Sequence, residues 1–514
     1  MLQNLYFYRS SRKIQYDTPN GPTTLIPTNY CFLNTEVVKT YNLIGVLGIL
    51  QLKSTFEDSE YFLFVTKGEI IGKIRGHNVY SVEKIKYLPI KGSTTSAEMD
   101  EVKDFIETHS FYCTLDEIKE CYKWNALLQQ NFKKHIVKTN NSYSNKIVKS
   151  PFMHSTFTYS QINDYSSKDQ LYTIFVTDND SQLHSLFCGY YEFQTYRSGD
   201  AIFNFEIRSF ISTNKIGPRM LCRGIDKDGN VSFFVKTEFF CTPVKTSLYS
   251  NIRFTIFRGS VPLYWSQDDP LKPSKINFDQ TKEENQQAFK RHFEMFTKDE
   301  EIPIVIDLLS HHKHEGILSS MYREYCLKEK IKYLSFNLNA YTNDYINLKK
   351  VLYDKLQKIL QPESSYILDD DNNSLSEETN HDAETIDSID IENESNYHCS
   401  IPKVDKQIVF RINCLDCLDR TNLCQFLIFN YYNPYKFNII KTMWKNNGNA
   451  LSMVYTGSHA LKSDFTKERK LSLFSRVNDI VISANRMINN KFNDKEKYKI
   501  IEILLKGESK YNDS

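Results

Sequence analysis

The sequence has no hydrophobic run long enough to cross a bilayer. Its longest apolar stretches, such as Leu43 to Leu50, extend over eight residues, whereas a membrane-spanning helix needs roughly 18 to 20. The N-terminal segment MLQNLYFYRSSRK also lacks the apolar region and small-residue cleavage site of a secretory signal. We therefore expect any membrane contact to be peripheral.

A regular disulfide framework is missing as well. The chain has eleven cysteines, an odd number at irregular spacings in 514 residues, which indicates the reduced thiols of a cytoplasmic protein. With 40% hydrophobic residues and only 17 glycines, the chain is neither disordered throughout nor collagenous. Its length allows about two or three domains.

The chain has almost no net charge, but the +1 that results from 64 basic and 63 acidic residues hides an uneven distribution. Between Pro362 and Pro402 there are twelve acidic residues and no Lys or Arg, so the rest of the chain has 64 basic residues against 51 acidic ones, a net charge of +13. Residues 363–400 are polar and uniformly negative, which is typical of a disordered insertion. The basic remainder suits an anionic membrane surface, and we expect the insertion to compete with lipid for it.

Short β-type runs occupy the first hundred residues and predict a β-rich N-terminal domain over residues 1–165. The runs are Tyr41 to Leu52, Tyr61 to Thr66, Ile70 to Ile74 and Asn78 to Val82. Residues 131–150 are basic and polar without a clear period, which is typical of a linker.

From about residue 170 to 360, strand-like runs alternate with helical patterns, which favours an α/β sheet. The predicted strands are Leu171 to Val176, Ile304 to Leu309 and Tyr333 to Phe336, and one predicted helix covers Lys282 to Phe296. We place an α/β catalytic domain over residues 166–470, with the acidic insertion inside it, and a helical tail over residues 471–514. The whole chain is thus predicted to have a mixed α+β or α/β fold.

A loop between a strand and a helix carries the candidate chemistry. Gln407 to Asn413 has the apolar, β-branched character of a buried strand, and the residues after Asn422 predict an apolar helix that Asn433-Pro434 ends. Between them lies Cys414-Leu415-Asp416-Cys417-Leu418-Asp419-Arg420-Thr421. At such a junction, backbone N–H groups and the helix dipole converge on an anion.

The five residues between Cys414 and Arg420 give the spacing that phosphate-monoester chemistry through a cysteinyl-phosphate requires. The thiolate would lie beneath phosphorus, and Arg420 would close the ring of donors around the phosphate. A helix N-terminus and a guanidinium both lower the pKa of a thiol from its free value of about 8.5. Thr421 can hydrogen-bond the sulfur, while Asp416 and Asp419 are both candidates for the proton donor. The remaining loop residues are expected to bind the phosphate, with Asn413 orienting the loop: Asn413, Leu415, Cys417 and Leu418.

Two other interpretations of the loop remain, one structural and one chemical. A Cys-x5-Arg pattern occurs by chance, and a buried cysteine is often only a small core residue. Cys414-x2-Cys417 also invites a zinc or redox interpretation, but no second Cys-x2-Cys and no nearby His pair completes a tetrahedral site. We therefore predict no metal and no other cofactor.

The segment RINCLDCLDRTN, from Arg411 to Asn422, resembles the signature of the SAC-domain phosphoinositide phosphatases, RTNCxDCLDRTN, with Ile412 where Thr is usual. The loop contains no glycine, unlike the His-Cys-x-x-Gly-x-x-Arg loop of protein tyrosine phosphatases. Further segments are similar to the same family, in the same order along the chain: Gly68 to Pro89, Arg219 to Glu238, Arg258 to Gln267 and Trp444 to Phe465.

The resemblance implies metal-free hydrolysis of a phosphate from the inositol ring of a membrane phosphoinositide, with phosphatidylinositol 4-phosphate or 3-phosphate as the expected substrate. It implies Cys414 as the nucleophile and Arg420 as the phosphate clamp, and it favours Asp416 over Asp419 as the acid/base. Basic residues after the site are expected to meet the lipid headgroup or the anionic bilayer: Lys462, Lys467, Arg469 and Lys470. No nucleic-acid partner is expected.

The chain departs from the family pattern at three asparagines. Phe336-Asn337-Leu338-Asn339 stands where many members have Phe-Asp-Phe-His, and Asn449 stands where Asp is usual. These changes leave open a catalytically weak lipid-binding scaffold, and a phosphatase of another phosphate monoester is a further alternative. The paired transmembrane helices of some members do not follow, since the chain ends about fifty residues after the Ala-Leu-Lys stretch. We therefore expect recruitment to endomembranes by a protein adaptor or by the surface itself.

Overall fold

The computed structural model describes residues 3–8, 13–18, 21–25, 39–53, 58–92, 96–134, 183–217, 222–244, 251–267, 276–278, 281–311, 313–341, 345–361, 364, 366–368, 407–460 and 494–508. Several predicted features lie outside these residues: the strand Leu171 to Val176, most of the linker, most of the acidic insertion, and the basic residues Lys462, Lys467, Arg469 and Lys470. For them the sequence-based expectations stand as predictions.

Eighteen strands are present in the described ranges. Those before residue 100 are β1 (Gln3–Tyr8), β2 (Lys13–Thr18), β3 (Gly21–Leu25), β4 (Lys39–Leu43), β5 (Gly45–Leu52), β6 (Ser59–Lys67), β7 (Ile70–Ile74), β8 (His77–Ser81) and β9 (Lys84–Lys91). Those after it are β10 (Phe111–Thr114), β11 (Ser185–Ser198), β12 (Ala201–Ile211), β13 (Val235–Pro243), β14 (Ile252–Arg258), β15 (Glu301–Asp307), β16 (Lys332–Ser335), β17 (Ile367–Leu368) and β18 (Gln407–Asn413).

The helices of the described part are α1 (Ala97–Thr108), α2 (residues 126–134), α3 (Lys282–Lys298), α4 (Lys313–Lys328), α5 (Tyr345–Leu360), α6 (Asp419–Tyr432), α7 (Asn438–Thr456) and α8 (Asp494–Lys506). Local sequence explains where several begin. Thr281 and Glu284 form a reciprocal capping box at the start of α3, and Ser96 accepts a hydrogen bond from the Met99 N–H at the start of α1. None of these helices is long and apolar enough to span a bilayer.

The strands form three sheets, and the largest positions the cysteine loop. Its eleven strands run in the order β17-β16-β15-β18-β14-β13-β12-β11-β10-β8-β7. Strands β17, β16, β15, β18 and β14 pair in parallel, whereas the strands from β14 to β7 pair antiparallel. Asp307 pairs in register with both Asn413 and Ser335, and Arg258 pairs with Ile412. The carboxyl ends of these parallel strands therefore meet at one edge of the sheet, where Cys414 follows β18.

Helices cover both faces of the parallel half. Phe289 of α3 and Leu318 and Tyr322 of α4 pack with Val305 and Val409 on one face. On the other face, α5 and α6 pack against side chains that alternate with these, including Ile304, Ile306 and Ile412. Strand β18 is thus buried on both sides, which explains why its apolar residues Ile408 to Phe410 are consecutive rather than alternating.

The mixed α/β character predicted from the sequence is confirmed. Two predicted strands have the expected bounds, β7 at Ile70 to Ile74 and β18 at Gln407 to Asn413. The predicted helix begins at Lys282 as expected, but α3 continues to Lys298. The sheet runs across the predicted boundary at residue 165, because β7, β8 and β10 extend the order beyond β11. The domain boundaries themselves stay predictions.

Several predicted bounds differ from the structure by a few residues, and two of them bear on the site and on the acidic insertion. Helix α6 begins at Asp419 rather than after Asn422, because an acidic residue in the first turn is stabilised by the helix dipole. The acidic insertion was predicted to begin at residue 363, yet Ile367 and Leu368 pair with Tyr333 and Leu334 as the edge strand β17. Ile367 and Leu368 are partly buried against the cores on the two faces of the sheet, which supports this short pairing.

Candidate active site

Cys414 lies between the end of β18 and the turn that leads into α6. Its side chain is only 2% exposed, and its Sγ atom accepts a hydrogen bond of 3.3 Å from the Thr421 hydroxyl. Thr421 is in the first turn of α6, so the sulfur lies near the helix N-terminus. A thiolate at this position would be stabilised by the hydroxyl and by the positive end of the helix dipole.

The other cysteines near the loop are unsuited to act as thiolates. Burial raises the pKa of Cys417 to about 12, and the neighbouring Cys414 adds to this rise. Burial also raises the pKa of Cys424 well above its ordinary value. The Cys417 thiol instead donates a hydrogen bond of 3.3 Å to the Cys414 carbonyl oxygen. It therefore acts as a structural link across the turn.

Cys417 also adopts a left-handed backbone conformation within the turn. Its φ of 54° lies in the left-handed region, which non-glycine residues adopt at a cost of about 1–3 kcal/mol. Arg258 Nη1 donates to the Cys417 carbonyl oxygen over 3.4 Å. Arg258 also donates to Asn422 Oδ1 and Gln425 Oε1 on α6. One guanidinium at the end of β14 thus ties the turn to the helix that follows it.

Arg258 brings a buried positive charge beneath the loop. The side chain is 1% exposed, and burial lowers the pKa of Arg258 to about 10 although Cys417 and Cys414 oppose this effect. At neutral pH the guanidinium is still charged. It therefore adds to the positive potential at the turn that carries Cys414.

A buried polar network fixes the end of β18. The Asn413 amide nitrogen donates to Asp307 Oδ1 over 2.6 Å, and the Asn413 side-chain oxygen accepts from Arg411 Nη1 over 3.1 Å. Asp307 also accepts from the Ser319 and Tyr333 hydroxyls at 2.6 and 2.7 Å. Burial raises the pKa of Asp307, although these hydrogen bonds lower it again in part. The network agrees with an orienting role for Asn413.

His292 continues this network as a neutral ring. Its Nδ1 lies 2.9 Å from the Gly229 carbonyl oxygen, and its Nε2 accepts from Arg411 Nε at 3.4 Å. Burial and the adjacent Arg411 lower the pKa of His292 well below its ordinary value. The uncharged tautomer with a proton on Nδ1 satisfies both contacts.

Arg420 reaches the end of β15 from the first turn of α6. Its Nη1 donates to the Leu308 carbonyl oxygen at 2.9 Å and to Glu315 Oε2 at 3.2 Å. Burial lowers the pKa of Arg420, but Cys414 and Glu315 together raise it by more, so the pKa of Arg420 is raised overall. The guanidinium is 20% exposed, so it is a permanent cation beside the loop that Glu315 holds in place.

Asp416 is paired with an arginine from a distant turn. Arg223 Nη2 donates to Asp416 Oδ1 at 2.7 Å, and Arg223 Nη1 donates to the Leu415 carbonyl oxygen at 2.9 Å. The Arg223 side chain is 3% exposed and lies 5.5 Å from the Trp265 ring centroid, whereas Asp416 is 37% exposed. Arg223 therefore orients a carboxylate that remains partly exposed to solvent. Asp419 is half-buried and begins α6.

Comparison with known proteins shows the family of the chain rather than the roles of individual loop residues. The profile of the SacI homology domain matches residues 44–343, more than half of the chain. The chain belongs to the SacI homology domain family. The predicted resemblance to SAC-domain proteins is therefore confirmed.

Curated relatives of this SacI homology protein carry phosphatase names. It is 32% identical over 330 residues to inositol-1,4,5-trisphosphate 5-phosphatase 1 of Schizosaccharomyces pombe, covering 62% of this chain and 28% of that protein. It is 28% identical over 429 residues to polyphosphatidylinositol phosphatase INP53 of Saccharomyces cerevisiae, covering 79% and 35%. It is 24% identical over 514 residues to phosphoinositide phosphatase SAC6 of Arabidopsis thaliana, covering 91% and 76%. The chain thus spans about a third or less of the first two relatives.

The predicted loop residues of the SacI homology protein separate into two groups. Thr421 contacts the Cys414 sulfur, whereas the charged side chains of Asp416 and Arg420 are held at the same turn by Arg223 and Glu315. Leu415 is half-buried against the core of α3 and α4, and Leu418 is fully buried against Leu451 and Tyr455 of α7. Side chains of Leu415, Cys417 and Leu418 thus hold the turn on the protein body. Any contact they make with a phosphate would come from their backbone N–H groups.

Two of the three asparagines that depart from the family pattern, Asn337 and Asn449, take part in local hydrogen bonds, and the side chain of Asn339 lies outside the described part of the structure. Asn337 follows β16 at the carboxyl edge of the sheet, and its carbonyl oxygen accepts from the Ala340 N–H at 3.1 Å. Asn449 Oδ1 accepts from the Ala460 N–H at 3.2 Å at the end of α7. An aspartate could accept the same bond as Asn449, so this change preserves the local fold.

Sequence reasoning missed four residues that the structure brings to the loop: Arg223, Arg258, Asp307 and Glu315. Arg223 and Arg258 lie in segments that resembled the family but had no assigned role. Nothing in local spacing indicates their partners, which lie 159 to 193 positions away in the chain. The available signal was an arginine within a family-like segment, since its burial is visible only in the structure.

Proposed function

We propose that this protein hydrolyses a phosphate monoester of the inositol ring of a membrane phosphoinositide, with phosphatidylinositol 4-phosphate or 3-phosphate as the substrate. The observation that carries the proposal is the Cys414 thiol at the N-terminus of α6, hydrogen-bonded by Thr421 and next to the cation of Arg420. The phosphoinositide phosphatase names of the relatives supply the substrate class.

In the first step, the Cys414 thiolate attacks phosphorus and the bond from phosphorus to the inositol oxygen breaks. Arg420 and the N–H groups of the loop stabilise the negative charge on the transferred phosphoryl group. Asp416 in its protonated form gives a proton to the leaving inositol oxygen. The products are free inositol lipid, a cysteinyl-phosphate and the Asp416 carboxylate.

In the second step, the Asp416 carboxylate takes a proton from water, and the water oxygen attacks phosphorus. The bond from sulfur to phosphorus breaks, inorganic phosphate leaves, and the Thr421 hydroxyl hydrogen-bonds the thiolate that returns. We assign the acid/base role to Asp416 rather than Asp419 because Arg223 orients Asp416 and leaves it 37% exposed. Lys462 stays a candidate for headgroup binding.

The protein is proposed to act peripherally at an anionic endomembrane, since its substrate resides there. A protein adaptor for recruitment remains part of this proposal. No nucleic acid enters it.

The central test is phosphate release from water-soluble short-chain phosphoinositides by the purified protein and its Cys414→Ser variant. We expect release to fall at least about a thousandfold, because a serine hydroxyl at this site has no thiolate character. Cys121→Ser is the matched control, since Cys121 is a half-buried cysteine that makes none of the loop contacts described above.

A panel of headgroups in the same assay identifies the ring phosphate that is removed. Release that is equal in Cys414→Ser and wild type would refute the cysteinyl-phosphate mechanism. Tight binding to phosphoinositide vesicles without turnover of any headgroup would favour the scaffold alternative.

A further inference from the structure

The carboxyl edge of the parallel strands has exposed isoleucines on both sides of the cysteine loop. Ile317 of α4 is 51% exposed and Ile346 of α5 is 73% exposed. We propose that this edge is the surface through which the protein contacts an anionic bilayer, with Ile317 and Ile346 entering the headgroup region. The inference rests on the proposed function, because a lipid substrate brings the loop to a bilayer.

The topology places both isoleucines near the edge of the sheet at which Cys414 follows β18. Helix α4 follows β15 and α5 follows β16, and these strands pair in parallel with each other and, through β15, with β18. Ile317 and Ile346 lie in the first two turns of their helices, next to the carboxyl ends of the strands. The loop that begins at Cys414 starts from the same edge.

The two helices lie on opposite faces of the sheet. Leu318 of α4 packs with Val305 on one face, whereas Leu348 of α5 packs with Ile304 on the other. Ile317 and Ile346 are therefore on either side of the sheet edge that carries Cys414. A flat bilayer that touches both would bring a lipid headgroup to the loop.

The charges at this edge fit an anionic surface. Helix α5 has Lys349 and Lys350 in its second turn and no carboxylate before Asp354. Of the carboxylates described near the loop, Glu315 and Asp416 are each paired with an arginine, Asp307 is fully buried, and Asp419 is half-buried at the start of α6. Basic residues beside exposed apolar ones are the combination that binds a protein to the interface of an anionic bilayer.

Exposure alone does not distinguish these positions, because single apolar side chains are common on protein surfaces. Leu327 makes the comparison possible. It is 52% exposed on the same helix as Ile317 but lies next to its C-terminal end, away from the loop. Membrane contact is therefore expected at Ile317 and Ile346 and not at Leu327.

The test uses the full chain, protein-free vesicles of phosphatidylcholine and phosphatidylserine, and the variant Ile317→Ser/Ile346→Ser with Leu327→Ser as the control. We expect the double variant to bind vesicles about tenfold more weakly, because two apolar side chains no longer enter the interface. In a second set of vesicles that also contain phosphatidylinositol 4-phosphate, hydrolysis of this lipid should fall in proportion. Hydrolysis of a water-soluble dibutanoyl substrate should stay within about twofold of wild type.

The outcomes separate this inference from the phosphatase proposal. If the double variant binds vesicles as wild type does, or if Leu327→Ser weakens binding equally, this edge is not the membrane-contacting surface. The same result would rule against the bilayer if the edge instead binds a protein. Absence of dibutanoyl hydrolysis in wild type would overturn the phosphatase proposal alone, because vesicle binding is measured without turnover. Circular dichroism of each variant identifies any loss of folding.

Discussion

Arg223 makes two contacts with the cysteine loop, and each holds a different part of it. One fixes the carboxylate of Asp416 at 2.7 Å, and the other fixes the Leu415 carbonyl oxygen at 2.9 Å. The planar guanidinium can serve both acceptors at once, which an ammonium group on a lysine cannot reproduce. Arg223 is therefore a positioning residue that acts through Asp416 and the loop backbone.

We predict that Arg223→Met lowers kcat on a short-chain phosphoinositide by about 10- to 100-fold with little change in KM. This is less than the roughly 10²- to 10⁴-fold contribution of a general acid itself, because Asp416 remains present but is no longer oriented. Arg223→Lys should retain an intermediate activity. Steady-state kinetics measure both variants.

The matched control is Arg75→Met, since Arg75 is 72% exposed and pairs with Asp116 at 3.8 Å away from the loop contacts described above. It should leave kcat unchanged. A wild-type kcat in Arg223→Met would contradict the positioning role. An equal rise of KM in Arg223→Met and Arg223→Lys would indicate a substrate-binding role instead.

At the scale of elements, the strand, loop and helix around Cys414 followed from local sequence. The apolar Gln407 to Asn413 run predicted β18 correctly, and Asn433 ends α6 as predicted. The helix start was misplaced because Leu418 provides no side-chain cap that would mark it in the sequence. Local signals thus identified the elements but placed one bound inaccurately.

The contacts between elements did not follow from the sequence. Asp307, Arg258 and Cys414 come together only because β15, β18 and β14 pair in parallel in one register. Parallel pairing joins segments far apart in the chain, and no periodicity within a segment specifies its neighbour. For the same reason, sequence reasoning could name the nucleophile and clamp but not the arginines that support them.

The antiparallel half of the sheet carries a cluster of ion pairs around Glu238 of β13. Glu238 is 6% exposed and contacts Arg208 at 2.8 Å and Lys236 and Arg253 at 3.3 Å. Burial raises the pKa of Glu238, but these three cations together lower it by more, so the pKa of Glu238 is lowered overall. Its neighbour Glu206 shows the opposite behaviour, since burial raises the pKa of Glu206 despite Arg208.

We predict that Glu238→Gln destabilises the protein by about 2 kcal/mol at pH 7. A folded-state pKa below the unfolded value stabilises the fold above the unfolded pKa, and this contribution is lost as pH falls through the folded pKa. The Tm values of wild type and Glu238→Gln should therefore converge below the ordinary value of 4.5. Thermal unfolding between pH 3 and 7 measures this.

Glu206→Gln is the control of opposite sign. Because its folded-state pKa is raised, Glu206 contributes stability below its unfolded pKa and loses it as pH rises through the folded pKa. Relative to wild type, Glu206→Gln should therefore gain Tm as pH rises. A constant Tm difference for Glu238→Gln at every pH would contradict the ion-pair explanation.

At the scale of the whole molecule, the charge is divided between the basic body and the acidic insertion. The structure refines the insertion, because Ile367 and Leu368 form the edge strand β17 and should be kept in any variant. Residues 369–400 contain eleven acidic residues and no Lys or Arg, so neutralising them raises the formal net charge from +1 to +12. A test of the insertion's charge therefore needs no change to the sheet.

We predict that replacing these eleven residues by Asn or Gln, at unchanged length, strengthens binding to phosphatidylserine vesicles and steepens its salt dependence. The reason is that a cationic protein gains attraction to an anionic surface, and this attraction is screened within a Debye length of about 8 Å at physiological salt. Vesicle sedimentation from 50 to 500 mM NaCl measures both effects. A variant that deletes residues 369–400 carries the same charge, so agreement between the two separates charge from chain length. Binding that equals wild type at every salt concentration in both variants would mean that the insertion does not compete with lipid.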